Sequence, residues 1–124
     1  MMGVRRFRKA FLCLAIFCLP AWGPPLIAQV ALTPAQVALL KRDLQRAEDQ
    51  YVRQIARIAG VSESAARRAL PAKGRITDPV SRVISALERD LGKPLSDEQR
   101  AALYSAEGDY ETARRRAEVN AAQK

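Results

Sequence analysis

The sequence feature that most constrains this fold is a series of apolar residues spaced three and four apart over residues 37–58. The series consists of Val37, Leu40, Leu44, Ala47, Tyr51, Ile55 and Ile58. Residues at these spacings share one side of an α-helix, so the pattern predicts a helix of about seven turns with one apolar stripe. Shorter series follow within residues 80–91 and 102–117, and nowhere do apolar and polar residues alternate as in a strand. The sequence therefore predicts an all-α fold.

Local start and stop signals set the ends of the long helix. Thr33 can cap it, Pro34 suits the first helical position, and Gln36 stands where a side chain can bond back to the cap. Gly60 follows the last apolar residue and suits the left-handed conformation that ends many helices. These signals predict a helix over residues 34–59.

Three more helices are predicted in the same way. Ser62 caps a short helix over 62–70, Asp78 precedes a helix over 79–91 that ends at Gly92, and Ser96 with Gln99 starts a helix over 97–119. The last helix has a thinner, alanine-rich stripe, and residues 120–124 are expected to fray. Two long helices thus bracket two shorter ones, in a helical hairpin or small bundle whose last helix pairs along the first.

The beginning of the chain has the composition of an export signal. A basic segment, residues 5–9, precedes an apolar run over residues 10–22 that contains Pro20, and Pro24 and Pro25 follow. This run is too short, and too interrupted, for a spanning helix of about 20 apolar residues. We expect residues 1–28 to be a signal peptide cleaved after Ala28, leaving one helical domain over 29–124. The predicted location is the periplasm or the exterior of the cell.

Cleavage of the signal peptide would also remove both cysteine thiols of the chain. Both cysteines, Cys13 and Cys18, lie in the apolar run, and the whole chain contains no histidine. The predicted mature domain therefore lacks the residues needed for a Cys/His zinc site, a Ser-His-Asp triad or histidine acid–base catalysis. Carboxylates adjacent in sequence, such as Glu48 and Asp49, point apart on a helix. We expect no enzyme, no metal site and no cofactor.

The predicted mature domain is mildly basic. Removing the four basic residues of the leader from a total of 21 leaves 17, against 13 acidic residues, for a net charge of +4. The excess of basic over acidic residues lies in the middle of the domain. Two interpretations stay open: a solvated face that maintains solubility, or a docking surface for an acidic protein or an anionic membrane. The candidate binding surface consists of Arg53, Arg57, Arg67, Arg68, Lys73, Arg75, Arg82 and Arg89.

Two helix starts share a short pattern, Leu32-Thr33-x-x-Gln36 and Leu95-Ser96-x-x-Gln99. The pattern resembles the LTxxQ signature that occurs twice in the Spy and CpxP family of periplasmic stress proteins, although Ser96 replaces the usual Thr. The resemblance implies a small exported helical protein with a basic, concave surface that holds unfolded protein clients. The same residues also form a hydrophobic staple and a capping box, which any helix can use.

Residues 55–70 look like the helix-turn-helix of lactose-repressor-type regulators, with Ala56, Gly60 and Ser62 at matching positions. Ala66 and Ala69 stand where that motif carries Val or Ile, and export would remove the chain from the compartment that holds DNA. Nucleic acid is therefore the partner we expect least, and the segment is interpreted as a tight helical corner.

The leading functional hypothesis is an exported, non-enzymatic binding or chaperone-like protein of the cell envelope, whose partner is a protein client or an envelope protein. The alternative is a structural or accessory component of an envelope or secretion assembly. A thin core without disulfides also predicts a homodimer formed through exposed apolar residues.

Overall fold

The computed structural model describes residues 31–72 and 78–124, which form four α-helices and contain no strand. These are α1 (Pro34–Ala59), α2 (Glu63–Ala69), α3 (Pro79–Leu91) and α4 (Asp97–Gln123). The predicted all-α fold of two long and two shorter helices is confirmed. The predicted signal peptide lies outside the described residues. Within them, no helix has the length and apolar character that crossing a membrane requires.

Both long helices begin with the predicted capping box. In α1 the Thr33 hydroxyl accepts a bond from the Gln36 amide at 3.3 Å, and the Gln36 side chain accepts one from the Thr33 amide at 2.7 Å. Ser96 and Gln99 make the same pair of bonds at 3.1 and 2.9 Å. Each box satisfies two amide groups that a helix start leaves without partners.

The two long helices pack along each other, as predicted, and the structure shows that they run in opposite directions. The end of α1 lies beside the start of α4, where the Gln99 side-chain amide donates to the Ile58 carbonyl at 2.9 Å. Farther along, Tyr51 stacks on Tyr110. Gln99 therefore both caps α4 and ties that helix to α1.

Within the described residues, the core lies at the end of the hairpin where all four helices meet. The short helices α2 and α3 cover the second half of α1 and the first half of α4 there, and they bury large side chains completely. The largest fully buried side chains are Ile55, Leu87, Leu103, Val52 and Val83. The other end of the hairpin is sealed mainly by alanines, among them Ala47, Ala117 and Ala121.

A carboxylate joins the end of α3 to the start of α4. Glu88 Oε1 accepts from the Leu95 amide at 3.0 Å and from an Arg100 Nη2 at 2.6 Å. The hydrogen bond from the Leu95 backbone amide holds the pKa of Glu88 below its usual value, and Arg100 adds a smaller effect in the same direction. This connection fixes the loop that carries buried Leu95 into the core.

Two sequence predictions were wrong at the far end of the hairpin. The helix α4 does not fray after residue 119 but continues to Gln123, because Ala121 is buried in the hairpin. The sequence pattern places Val37 on the apolar stripe, yet half of its side chain is exposed. The alanines of α4 are too small to cover the first turn of α1.

Replacing glycine with alanine should change the free energy of unfolding in opposite directions at two positions. Gly60 ends α1 with φ of +68°, whereas Gly108 lies inside α4, and an added Cβ would meet no atom within 4 Å at either position. Gly60→Ala should lower the free energy of unfolding by about 1 kcal/mol, because a side chain disfavours the left-handed conformation. Gly108→Ala should raise it by about 1 kcal/mol, because alanine loses less entropy in a helix.

Urea unfolding followed by circular dichroism measures both changes, and each variant serves as the control for the other. A neutral Gly60→Ala variant would contradict the left-handed end of α1.

Candidate binding groove

A groove of about 510 Å³ opens between the helices on one side of the core. We call it the tyrosine groove. Each helix contributes to its lining, which is about half polar and half apolar. Its principal lining residues are Tyr51 of α1, Arg67 of α2, Val83 of α3, and Glu107, Tyr110 and Arg114 of α4.

Two of the three tyrosines of the chain form an aromatic pair in this groove. The rings of Tyr51 and Tyr110 stack with their centroids 4.7 Å apart and their planes 6° from parallel. The Arg114 guanidinium lies 5.7 Å from the centroid of the Tyr110 ring, within the range of a cation–π contact. The tyrosines come together because each lies on the apolar stripe of its own long helix.

The Tyr51 hydroxyl is the most unusual polar group in the groove. Only 2% of Tyr51 is exposed, and the hydroxyl has no hydrogen-bond partner among the described residues. Glu107 lies near it, but outside hydrogen-bonding geometry. Burial, and then the nearby Glu107 carboxylate, raises the pKa of Tyr51 far above its ordinary value. Burial raises the pKa of Tyr110 as well.

These shifts predict a protein that loses stability in alkali. The unfolded chain releases its tyrosine protons near pH 10, whereas the folded chain retains that of Tyr51 to a higher pH. The stabilisation is therefore complete below about pH 10 and declines above it, by at most about 1.4 kcal/mol per pH unit for one tyrosine. Tyr51→Phe should reduce this decline.

Urea titrations on both sides of about pH 10 test this prediction. Equal pH dependence in the wild type and Tyr51→Phe would contradict it.

The charged residues of the groove form ion pairs, with one exception. Arg67 binds Glu48 at 3.3 Å and Asp49 at 2.9 Å. The Asp49 hydrogen bond raises the pKa of Arg67, and Arg67 in turn lowers that of Asp49. Arg114 binds Glu111 at 3.0 Å. Within the part of the chain that the structure describes, the half-buried Glu107 makes no ion pair.

The residues of the predicted basic surface occupy different places on the molecule. Arg53 and Arg57 are exposed on α1, and Arg57 lines a shallow groove between α1 and α4. Arg67 points to the α1 carboxylates, and Arg68 donates to the Ser64 hydroxyl at 3.1 Å. Arg67 thus belongs to the tyrosine groove.

Two other members of that surface lie together. Arg82 and Arg89 of α3 are exposed and line one groove of about 450 Å³ beside the end of α2. Lys73 and Arg75 lie outside the described residues. The structure therefore brings Arg82 and Arg89 to one site and Arg57 to another.

The corner that resembles a helix-turn-helix is a tightly packed part of the core. Gly60 turns the chain, Ser62 caps α2 through the Ala65 amide, and Ala66 and Ala69 are buried. Small residues are needed here because α2 packs closely against its neighbours. Pro71 follows α2, which has seven residues.

Sequence reasoning missed the tyrosine groove, whose residues come from four separate helices. One signal could have indicated it: Tyr51 and Tyr110 both lie on the predicted stripes, and antiparallel pairing of those helices would bring the two rings together.

Comparison with known proteins gives no relative to guide the function: no family model, no curated protein and no solved structure matches this chain. Among the described residues, no group of three or more Cys, Asp or Glu side chains is arranged to hold a metal ion.

Proposed function

We propose that this chain is an exported helical protein of the cell envelope that binds segments of other proteins in a chaperone-like role, without catalysis. The proposal joins the export signal predicted for residues 1–28 to the tyrosine groove. The resemblance of the two helix starts to those of the Spy and CpxP family supports the same role.

The observation that carries the proposal is the mixed lining of the tyrosine groove. Its volume of about 510 Å³ lies within the range of pockets that bind small ligands. Aromatic rings offer apolar contact at low entropic cost, and charged groups at the rim provide polar contacts. Such a lining suits short apolar stretches with polar neighbours, as an unfolded chain presents them.

An aggregation assay tests this role. We expect the purified protein to suppress, without ATP, the light scattering of a chemically denatured client diluted into buffer, in proportion to its concentration. An equal mass of an inert protein of similar size serves as the control. Scattering that is unchanged at a severalfold excess of this chain would refute the chaperone-like role.

The far end of the hairpin favours a second candidate, a structural or accessory component of an envelope or secretion assembly. Leu40 and Leu44 are only half-buried there, and Val37 and Val119 are half-exposed. These side chains could pack on a permanent partner. A pull-down from envelope extracts that returns one stoichiometric protein would support this candidate, and one that returns many substoichiometric proteins would favour the first.

A further inference from the structure

The tyrosine groove is locally acidic in a basic chain. Three glutamates and two arginines line it, while the whole chain has a net charge of +8. Arg67 is bound by Glu48 and Asp49, and Arg114 by Glu111. Both arginines of the lining are therefore neutralised by neighbours.

Among the charged residues that line the groove, only Glu107 makes no ion pair with another described residue. It is half-buried on α4 and lies close enough to raise the pKa of Tyr51. The Tyr51 side chain, which also lines the groove, is almost completely buried with an unpartnered hydroxyl. A neutral apolar occupant would cover Glu107 without compensating its charge, which is costly.

The same groove also offers apolar surface. Leu70 and Pro71 follow α2, Val83 faces the groove from α3, and the ring of Tyr110 lies on the same helix as Glu107. A cation carried on an aliphatic stem complements both features, because lysine and arginine bury their stems against apolar surface while their heads pair with carboxylates.

We propose that the tyrosine groove binds a single basic side chain, lysine or arginine, presented by an extended apolar segment of a client protein. Its cationic head pairs with Glu107, and its stem lies against the half-buried Leu70, Pro71 and Tyr110 ring. The inference rests on the proposed binding role, and it assigns selection of the client to an acidic groove. Arg82 and Arg89 of the predicted basic surface line a different groove and take no part in that selection.

Fluorescence anisotropy with a series of labelled peptides tests this directly. The purified full chain is titrated into a capped pentapeptide that carries one lysine between two leucines, and into matched peptides with glutamine or glutamate at that place. We expect the lysine peptide to bind about fivefold more tightly than the glutamine peptide, and the glutamate peptide to bind more weakly still.

A pair of protein variants tests whether Glu107 causes the preference for the lysine peptide. Glu107→Gln keeps the shape of the side chain and should abolish the preference for lysine, weakening the lysine peptide about fivefold. Glu118→Gln removes the same charge from an exposed position of α4 outside the groove and should leave the preference unchanged. Matching thermal unfolding curves establish that both variants fold.

Equal binding of the lysine and glutamine peptides, tighter binding of the glutamate peptide, or full lysine preference in Glu107→Gln would each overturn the inference. The aggregation assay separates this failure from that of the proposed function. A protein that suppresses aggregation but shows no lysine preference refutes only the role of Glu107. A protein that prefers lysine but suppresses no aggregation refutes the chaperone-like role.

Discussion

Leu87→Ala should destabilise the protein by about 3 to 4 kcal/mol, because it leaves a cavity where all four helices meet. The Leu87 side chain is 0% exposed and lies on α3 within the cluster that joins the helices. The free energy of unfolding of a domain of this size is only about 5 to 15 kcal/mol, so the loss removes much of the total. Urea unfolding at neutral pH measures it.

Leu91→Ala provides the matched control for this prediction. It is the same substitution one turn later in α3, at a half-buried position. Its cost should be less than half as large, since fewer contacts disappear and solvent can fill the space. Similar losses at the two positions, or a loss below about 1 kcal/mol at Leu87, would contradict the packing of α3 described above.

Ala66→Ile should destabilise the protein by about 2 to 3 kcal/mol, for the opposite reason. Ala66 is 0% exposed at the corner between α1 and α2, and the three added carbon atoms must displace its neighbours. The substitution supplies the kind of residue that helix-turn-helix regulators carry here. A large loss of stability would mean that this corner, unlike the helix-turn-helix motif, has no room for a branched side chain at position 66.

Ala101→Ile controls for the lower helix propensity of isoleucine. Ala101 is exposed in α4, so this variant should change the free energy of unfolding by no more than about 0.5 kcal/mol. Both variants are compared by urea unfolding. An Ala66→Ile protein as stable as its control would mean that α2 packs more loosely than the structure describes.

The helix starts could be predicted from sequence because their chemistry is local. The bonds between Thr33 and Gln36, and between Ser96 and Gln99, join residues three apart, so four letters of sequence suffice to specify each box. The left-handed ends at Gly60 and Gly92 were predictable for the same reason. The apolar stripes then indicated which sides of the long helices meet.

The errors arose where distant packing decides the outcome. Whether α4 continues past residue 119 depends on the burial of Ala121 against the hairpin, and whether Val37 is covered depends on the size of the residues opposite. Neither fact is present in the local sequence. Val52 is completely buried outside the predicted stripe, because α2 also packs against the second half of α1.

The sequence does not predict the tyrosine groove, because counting charged residues along the chain does not show which of them form ion pairs in the fold. By count, the middle of the chain is basic, and that excess is compatible with either a solvated face or a docking surface. In the folded chain, Arg67 reaches Glu48 and Asp49, which lie 19 and 18 residues away, and Arg114 pairs with Glu111. Such pairing depends on tertiary contacts, and it leaves Glu107 as the charge that distinguishes the groove.

Cell fractionation combined with intact mass measurement tests the proposal that this helical domain works outside the cytoplasm. Cells expressing the full-length chain with a tag after Lys124 are separated into cytoplasmic, membrane and periplasmic fractions, and the tagged species in each is weighed. We expect a periplasmic species that begins near Gln29. An uncleaved species confined to the cytoplasm would contradict it and would make the corner over residues 55–70 the leading candidate site.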